Sequence, residues 1–362
     1  MKLDWKAVLG ISVSLFFLWY VFRGEDLGAI MTDIRSADPW LLLAAVVIVT
    51  FTYPIRALRW KVLLEPVQPG TAFGPRFAAV NIGFMANNLL PARVGEFARA
   101  YALSRLTPAT ASGAFGTLVV ERFLDAMTIL LLTGLALMSP GFPRDAAGAG
   151  GTLGLALRLG AIGVGVLVAA LLVLLIWPRP VVRIAERVAV HLPGNLGRIA
   201  VDALQAFLEG LGVLQSPRLL LQAAVWSLFL WLWNSFGFWV AFLAFDIDAG
   251  FIAAIFVQSA VALFVAIPSA PGFFGTWHLA ARVALTDVYG VPVSQSLSYA
   301  VGFHLGGFFP VTFLGLFYAW RLGMSLKDVG GAETRVEEAV EEAHPEALEL
   351  RRKARPEDGR DP

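Results

Sequence analysis

Long apolar segments are the feature that most constrains what this chain can fold into. A bilayer core about 30 Å thick is crossed by a helix of roughly 20 apolar residues. Runs of about this length lie near residues 5–22, 40–60, 112–138, 154–177, 219–244 and 296–320. Composition agrees, since 57% of the 362 residues are hydrophobic and only 15% are charged. The sequence therefore predicts an all-α polytopic membrane protein with six full spans.

Several classes of function lack sequence support. The formal net charge of +1 is too small for a nucleic-acid binder, and a chain without cysteine forms no disulfide and no cysteine-ligated zinc module. The four histidines are scattered, and no glycine-rich nucleotide motif is found. We therefore expect no cofactor, no metal, no nucleotide, no nucleic-acid partner and no enzymatic residues.

Charged residues predict the orientation in the membrane. Lysine and arginine are concentrated before the first run, at the end of the second and between the fourth and fifth, whereas the opposite loops are acidic. Because basic loops stay cytoplasmic, the sequence predicts a multi-pass protein of the inner (plasma) membrane with both termini in the cytoplasm. Residues 178–218 are predicted as cytoplasmic interfacial helices, with a solvated loop helix as the alternative. Residues 328–362 are predicted as a charged cytoplasmic tail.

Two apolar segments, residues 73–106 and 251–290, are interrupted by polar, glycine and proline residues. Unpaired backbone at membrane depth is tolerated only inside protein or beside a water-filled cavity. Each segment is therefore predicted to form a re-entrant helical hairpin. The parity of the crossings gives the hairpins opposite orientations, so that residues 1–325 form one transmembrane domain with halves of about 1–140 and 150–325 in an inverted repeat.

The breaks in the two hairpins have similar sequences. Pro91 and Gly95 in the first have the same spacing as Pro271 and Gly275 in the second, where Gly272 adds backbone freedom. Paired broken helices of this kind are the best sequence indication of a transport site.

The densest polar stretch contains Asn88 and then Arg93, Glu96 and Arg99 at three-residue spacing. On a helix beginning near Pro91, the last three residues share one side and place two guanidinium groups around one carboxylate. Such a face suits an anionic lipid headgroup, because guanidinium groups bind phosphate through two hydrogen bonds. The alternative is that these charges line a cytoplasmic helix end and pair with anionic lipid.

A second cluster lies inside the third apolar run. Glu121, Arg122 and Asp125 are costly in a membrane span and are therefore expected to face a cavity or partners. Arg122 is a further candidate headgroup ligand. Glu121 or Asp125 is expected to pair with Arg93 or Arg99. Two interpretations remain open, namely a carboxylate that changes protonation during transport and a fixed internal salt bridge.

The second hairpin supplies two more candidates. Arg282 is a candidate headgroup ligand on the helix after the break. His278 titrates near neutral pH in the ordinary case and is a candidate for charge coupling, although a histidine beside Trp277 also suits a packing role. His304 lies between Gly302 and Gly306, a spacing typical of helix packing.

Together these motifs resemble a known family. The segment from Asn88 to Arg99, the group Glu121, Arg122 and Asp125, and the segment Pro268 to Thr276 are similar to the flippase-like integral membrane family related to the membrane half of lysylphosphatidylglycerol synthases. The resemblance covers about residues 5–325. It implies an inner-membrane protein that moves lipids or polyprenyl-linked carriers between leaflets. No aminoacyl-transferase domain like that of the synthases is expected in this sequence, so the resemblance does not imply lysyl transfer.

The function predicted first is a lipid flippase or scramblase for an anionic phospholipid or a polyprenyl-phosphate-linked lipid. Glu96, Glu121 and Asp125 are its candidate proton carriers, membrane lipids are the expected partners, and a homo-oligomer is compatible with the sequence. The alternatives are an integral-membrane glycosyltransferase that uses a polyprenyl-phosphate donor, for which Asp246 and Asp248 are the motif, and a non-catalytic membrane subunit.

Overall fold

The computed structural model describes residues 5–143, 216–266 and 270–336, together with positions 180, 183, 184 and 187, and these residues form helices and their connections only. The helices of the first half are α1 (Trp5–Phe22), α2 (Leu27–Ser36), α3 (Pro39–Thr50), α4 (Thr52–Leu64), α5 (Phe73–Leu89), α6 (Gly95–Leu106) and α7 (Ala111–Met138). Those of the second half are α8 (Pro217–Ala244), α9 (Phe251–Phe264), α10 (Thr276–Arg282), α11 (Val293–Arg321) and α12 (Leu326–Gly330).

Three helical segments are long and apolar enough to cross a membrane. They are Pro39–Leu64, which comprises α3 and α4, and the helices α8 and α11. Each agrees with a predicted run, and the all-helical membrane character of the chain is thereby confirmed. The runs near residues 5–22 and 112–138 form α1 and α7, of 18 and 28 residues. The predicted span at 154–177 lies outside the described residues, as does almost all of the segment 178–218.

Acidic loop residues have a local structural role as helix caps. The Asp26 carboxylate accepts the backbone N–H groups of Gly28 and Ala29 at the start of α2. Asp38 does the same for Trp40 and Leu41 at the start of α3, where proline occupies the first helical turn. A carboxylate satisfies the otherwise unpaired first amides of a helix.

Both segments with interrupted apolar character are broken helices. In the first, a 3-10 turn at Pro91–Arg93 separates α5 from α6, and these two helices pack against each other. In the second, a 3-10 turn at Pro271–Phe273 separates α9 from α10, and a π-helical turn at Val283–Val288 follows α10.

Close packing of α5 and α6 depends on glycine. A Cβ atom added to Gly83 would lie 2.6 Å from the carbonyl oxygen of Gly95 and 2.8 Å from the Cβ of Arg99. The side-chain oxygen of Asn87 accepts the backbone N–H of Gly95, the first residue of α6, at 2.9 Å. These contacts fix the position of α6 and of Arg99 on it.

Two large apolar clusters form the core. One joins α8, α9 and α10 to parts of α3, α7 and α11, and the other joins α4, α5, α6 and α7. Helix α11 also crosses α5 closely, since a Cβ on Gly315 would lie 2.5 Å from the carbonyl oxygen of Asn81. The two halves of the chain therefore share one packed body.

This body extends beyond the expected domain boundary at residue 325. Val329, Ala332 and Val336 are buried in the same apolar cluster as α6. Arg335 donates a hydrogen bond to the Tyr101 hydroxyl of α6 and its guanidinium lies over the Tyr101 ring. We call residues 325–336 the C-terminal strap. The rest of the predicted tail, residues 337–362, lies outside the described residues.

Candidate functional site

A buried cluster of charged side chains lies where α4, α6, α7 and α8 meet. Helix α7 contributes Glu121 and Asp125, which are one helical turn apart, and Arg122 between them. Helix α4 contributes Arg56 and Arg59, and helix α6 contributes Arg99, all three of which are buried. We call these six residues the arginine–carboxylate cluster.

Glu121 is the most enclosed carboxylate of the cluster. Arg99 donates to both of its oxygens, with Nη1–Oε1 and Nη2–Oε2 distances of 2.7 and 3.0 Å. Arg122 donates to Oε1 at 2.8 Å, and the Nη2 atom of Arg59 lies 3.2 Å from the same oxygen. Three guanidinium groups therefore surround one buried carboxylate, which is the geometry of a fixed internal salt bridge.

Asp125 is held by a different set of donors. Its Oδ1 accepts Arg59 Nη1 at 2.5 Å and the indole Nε1 of Trp231 on α8 at 2.9 Å. Arg56 and Arg122 approach its Oδ2 at 3.6 and 3.5 Å. Asp125 thus connects the first half of the chain to α8.

Aromatic rings and hydroxyl groups complete the surroundings. The Arg99 guanidinium carbon lies 3.9 Å from the centroid of the Trp60 ring, and the Trp60 indole donates to the Thr117 hydroxyl at 2.8 Å. Arg56 lies over the Phe84 ring at 5.0 Å. Cations stacked on aromatic faces keep favourable contacts where water is excluded.

The cluster is not electrically neutral. Its four arginines face two carboxylates, which leaves a formal net charge of +2. All four arginines have hydrogen-bonding capacity left, because buried nitrogen atoms without a hydrogen-bond partner are found in each of them, namely Nη1 of Arg56 and Nε of Arg59, Arg99 and Arg122. The Arg122 side chain is also 39% exposed. Excess positive charge with unused donors is the arrangement expected of a site for an anion.

One predicted pairing is present and another is not. Arg99 pairs with Glu121, as the sequence indicated. Arg93 and Arg99 do not flank Glu96 on one helix face. Helix α6 begins only at Gly95, and Arg93 lies in the preceding 3-10 turn with φ +55°. The prediction of two guanidinium groups around Glu96 on one helix face is therefore wrong in its geometry.

Arg93 points instead toward the second broken helix. Its Nη1 donates to the carbonyl oxygen of Ala266 at 2.9 Å, and its guanidinium lies 5.6 Å from the centroid of the Phe273 ring. Within the described residues, Glu96 forms no ion pair shorter than 4.0 Å, so Glu96 and Arg93 lie beside the arginine–carboxylate cluster but outside its ion-pair network.

The other predicted ligands have structural partners elsewhere. The Asn88 amide donates to the Thr312 hydroxyl at 2.8 Å and so joins α5 to α11. Arg282 pairs with Glu25 at 3.1 Å and donates to the Val21 carbonyl, which connects α10 to the end of α1. The structure does not bring Asn88 or Arg282 into the cluster.

His278 is buried among aromatic rings. Its Nδ1 accepts the backbone N–H of Gly275 at 3.4 Å, and its ring lies 5.1 Å from the ring of His304. His304 stacks on Trp277 at 4.9 Å. The surroundings of His278 are those of a packing residue.

The residues predicted to form the hairpin backbones lie in or next to the turn that interrupts each broken helix. Pro91 and Pro271 each begin a 3-10 turn, as their fixed φ allows. Gly272 and Gly275 have φ values of +71° and +91°, which only glycine adopts without cost, and a Cβ on Gly275 would lie 2.6 Å from the Ser14 carbonyl oxygen.

Two members of the cluster were not predicted as site residues. From the sequence, Arg56, Arg59 and Lys61 are predicted only as cytoplasmic charges at the end of the second span. The structure buries Arg56 and Arg59 and exposes Lys61. Their three-residue spacing, which places both on one face of α4, was the available signal.

These features define a class of protein. It is a helical membrane protein with a positively charged, buried arginine–carboxylate cluster beside two broken helices. The chain belongs to the family described as the lysylphosphatidylglycerol synthase TM region, whose family model matches residues 7–315. This confirms the resemblance found in the sequence motifs.

Curated relatives match a shorter part of the chain. The glycosyltransferase AglD of Haloferax volcanii is 29% identical over 131 residues, which are 36% of this chain and 21% of that protein. UPF0104 membrane proteins of Methanocaldococcus jannaschii and Methanothermobacter thermautotrophicus are 28% and 29% identical, over 35% and 36% of this chain and 39% and 38% of their own lengths. The chain thus matches less than half of each relative. No solved structure matches it significantly.

Proposed function

We propose that this protein moves an anionic lipid, either a phospholipid or a polyprenyl-phosphate-linked lipid, between the leaflets of the inner membrane. The observation that carries the proposal is the formal charge of +2 on the arginine–carboxylate cluster, with Arg122 partly exposed and Arg56 Nη1 without a hydrogen-bond partner. Excess buried charge is costly in a membrane. A phosphate offers both the compensating charge and acceptors for guanidinium donors.

The proposed path for the headgroup runs between the two broken helices. We propose that they are re-entrant hairpins of opposite orientation, within six spans that form an inverted repeat with both termini in the cytoplasm. In support, both segments break at a Pro-initiated 3-10 turn, and Cα atoms of the two turns approach within 8 Å. Broken helices meeting at a central site are typical of transporters.

Energy coupling is proposed to come from a lipid or ion gradient. Glu121 accepts guanidinium hydrogen bonds on both oxygens and belongs to the fixed framework of the site. Glu96 lies outside the ion-pair network of the described residues, in the first turn of α6 and three residues before Arg99. Among the carboxylates proposed as proton carriers, Glu96 is therefore the one that the geometry favours.

Membrane-embedded glycosyl transfer is the second candidate function, because the curated relative AglD carries that name. Asp246 and Asp248, the motif proposed for it, are exposed between α8 and α9. Replacing both with asparagine discriminates between the candidates. An enzyme that uses these carboxylates loses transfer activity, whereas a transporter built on the arginine–carboxylate cluster keeps its translocation rate.

The test of the proposal is lipid translocation in proteoliposomes. Headgroup-labelled phosphatidylglycerol is incorporated, and a membrane-impermeant quencher reports the label that reaches the outer leaflet. The native chain is compared with Arg122→Gln and with the matched control Arg321→Gln, which removes an exposed arginine at the end of α11. Loss of translocation in Arg122→Gln alone supports the proposal, and equal rates in the two variants contradict it.

A further inference from the structure

The turns of the two broken helices touch through two residues with the same unusual backbone conformation. Arg93 in the first turn has φ +55°, and Phe273 in the second has φ +60°. Both values are in the left-handed region, which non-glycine residues rarely adopt and which clusters at switch regions. The guanidinium of Arg93 lies over the ring of Phe273, at 5.6 Å from its centroid.

Both turns pack beside α1, but the two sides of the contact are held by different groups. In the second turn, the backbone N–H of Ala270 donates to the Ser14 hydroxyl of α1 at 2.8 Å, and Gly275 packs directly against the α1 backbone. In the first turn, Arg93 is held to the second by one hydrogen bond to a neutral carbonyl, that of Ala266, and by the ring contact. The Arg93 side chain is therefore the part that can move at low cost.

We propose that the contact of Arg93 with Ala266 and Phe273 is the closed state of a gate, which opens when Arg93 exchanges these partners for the phosphate of the lipid. This inference rests on the proposed function and adds to it the residue that controls entry. A guanidinium binds an ionised phosphate more strongly than a neutral carbonyl, because both partners are charged and two parallel hydrogen bonds form.

If the contact is a gate, weakening it changes the affinity for lipid, which a purely structural contact would not do. If the contact with Phe273 competes with lipid, weakening it frees Arg93 and tightens lipid binding. Phe273→Leu removes the cation–ring contact with little change in volume. We expect its affinity for polyprenyl phosphate to rise about two- to fivefold.

Binding of polyprenyl phosphate to the full chain in nanodiscs is the measurement, made for Phe273→Leu and for the control Phe274→Leu. Phe274 packs on His304 and Phe308, so its replacement is not expected to tighten binding. In an Arg93→Ala background, where the gate has lost its moving part, Phe273→Leu is expected to give no gain. Arg93→Lys keeps the charge but lacks the planar guanidinium group. In this background, Phe273→Leu is expected to give a smaller gain in lipid affinity than in the native chain.

Weaker or unchanged binding in Phe273→Leu overturns the gate, as does an equal gain in the Arg93→Ala background. Translocation by the native chain is recorded separately. A native chain that binds the lipid without moving it, while Phe273→Leu tightens binding only when Arg93 is present, retains the gate and refutes the transport function. A native chain that moves lipid, with no change of affinity in Phe273→Leu, retains the transport function and refutes the gate.

Discussion

Arg99 and Glu121 form a bidentate ion pair, with Nη1–Oε1 and Nη2–Oε2 distances of 2.7 and 3.0 Å, in which the glutamate side chain is fully buried. The pair joins α6, which follows the first break, to the long helix α7. Because two other arginines also contact Glu121, this carboxylate holds the positive charges of the site at fixed positions. Glu121 therefore also fixes the position of the more exposed Arg122.

Glu121→Gln is expected to destabilise the protein strongly. The substitution leaves three guanidinium groups without their shared buried counter-charge, and breaking a buried ion pair costs about 3–5 kcal/mol. The apparent melting temperature in detergent measures the effect. Glu65→Gln is the control, because Glu65 ends α4 outside the ion-pair network of the described residues. If the Glu121→Gln variant had the same apparent melting temperature as the native protein, the ion pair would not stabilise the fold.

Arg122→Gln is expected to weaken lipid binding while changing the stability of the fold little. Its side chain is 39% exposed, so its ion pairs contribute about 1 kcal/mol or less to stability. A charged hydrogen bond to bound phosphate is stronger, and affinity for polyprenyl phosphate in nanodiscs should fall about tenfold or more. Arg321→Gln, with the same chemical change, should keep native affinity. Equal affinity in Arg122→Gln and the native chain would remove Arg122 from the site.

Gly83→Ala is expected to disturb the site through packing. The new methyl group would meet the Gly95 carbonyl oxygen and the Arg99 side chain, and overpacking of this kind costs about 1–3 kcal/mol. Gly134→Ala on α7 is the matched control, since nothing lies within 4 Å of a Cβ there. Melting temperatures of the two variants give the comparison. No difference between them would mean that α5 and α6 are less closely packed than described.

Asp328 in the C-terminal strap predicts a pH dependence. Hydrogen bonds from the Ser325 hydroxyl and backbone N–H, with help from Arg335, hold the pKa of Asp328 below its usual range. A lowered pKa stabilises the folded state above the unfolded pKa of about 3.9, and the contribution disappears as the pH falls further. Asp328→Asn should therefore melt below the native chain at pH 7, and the difference should shrink below about pH 4. A constant difference across this range would contradict the assignment.

The sequence predicts the long helices well because each apolar run is a local property of the chain. It also locates both broken helices, since proline and glycine interrupt the runs where the 3-10 turns form. The site is less accessible to such reasoning. Arg59 and Asp125 are 66 positions apart and Trp231 is on another helix again, so nothing local marks them as neighbours.

Arg56 and Arg59 show a specific limit of charge patterns. Arginines at the end of a span favour the cytoplasmic side whether they face water or the protein interior. Arg93 shows another limit, because its position depended on where α6 begins. A shift of the helix start from Pro91 to Gly95 moves Arg93 off the face that carries Arg99 and toward the second broken helix.

We propose that the excess positive charge of the arginine–carboxylate cluster selects an anionic headgroup. The measurement that tests this selection compares two labelled lipids that differ only in the phosphate, polyprenyl phosphate and the corresponding polyprenyl alcohol, in the same proteoliposomes. The native chain is expected to increase the rate of the phosphate form, relative to protein-free liposomes, at least about ten times more than that of the alcohol, and Arg122→Gln is expected to remove most of this difference. Equal increases for the two lipids in the native chain would contradict selection of the headgroup by charge.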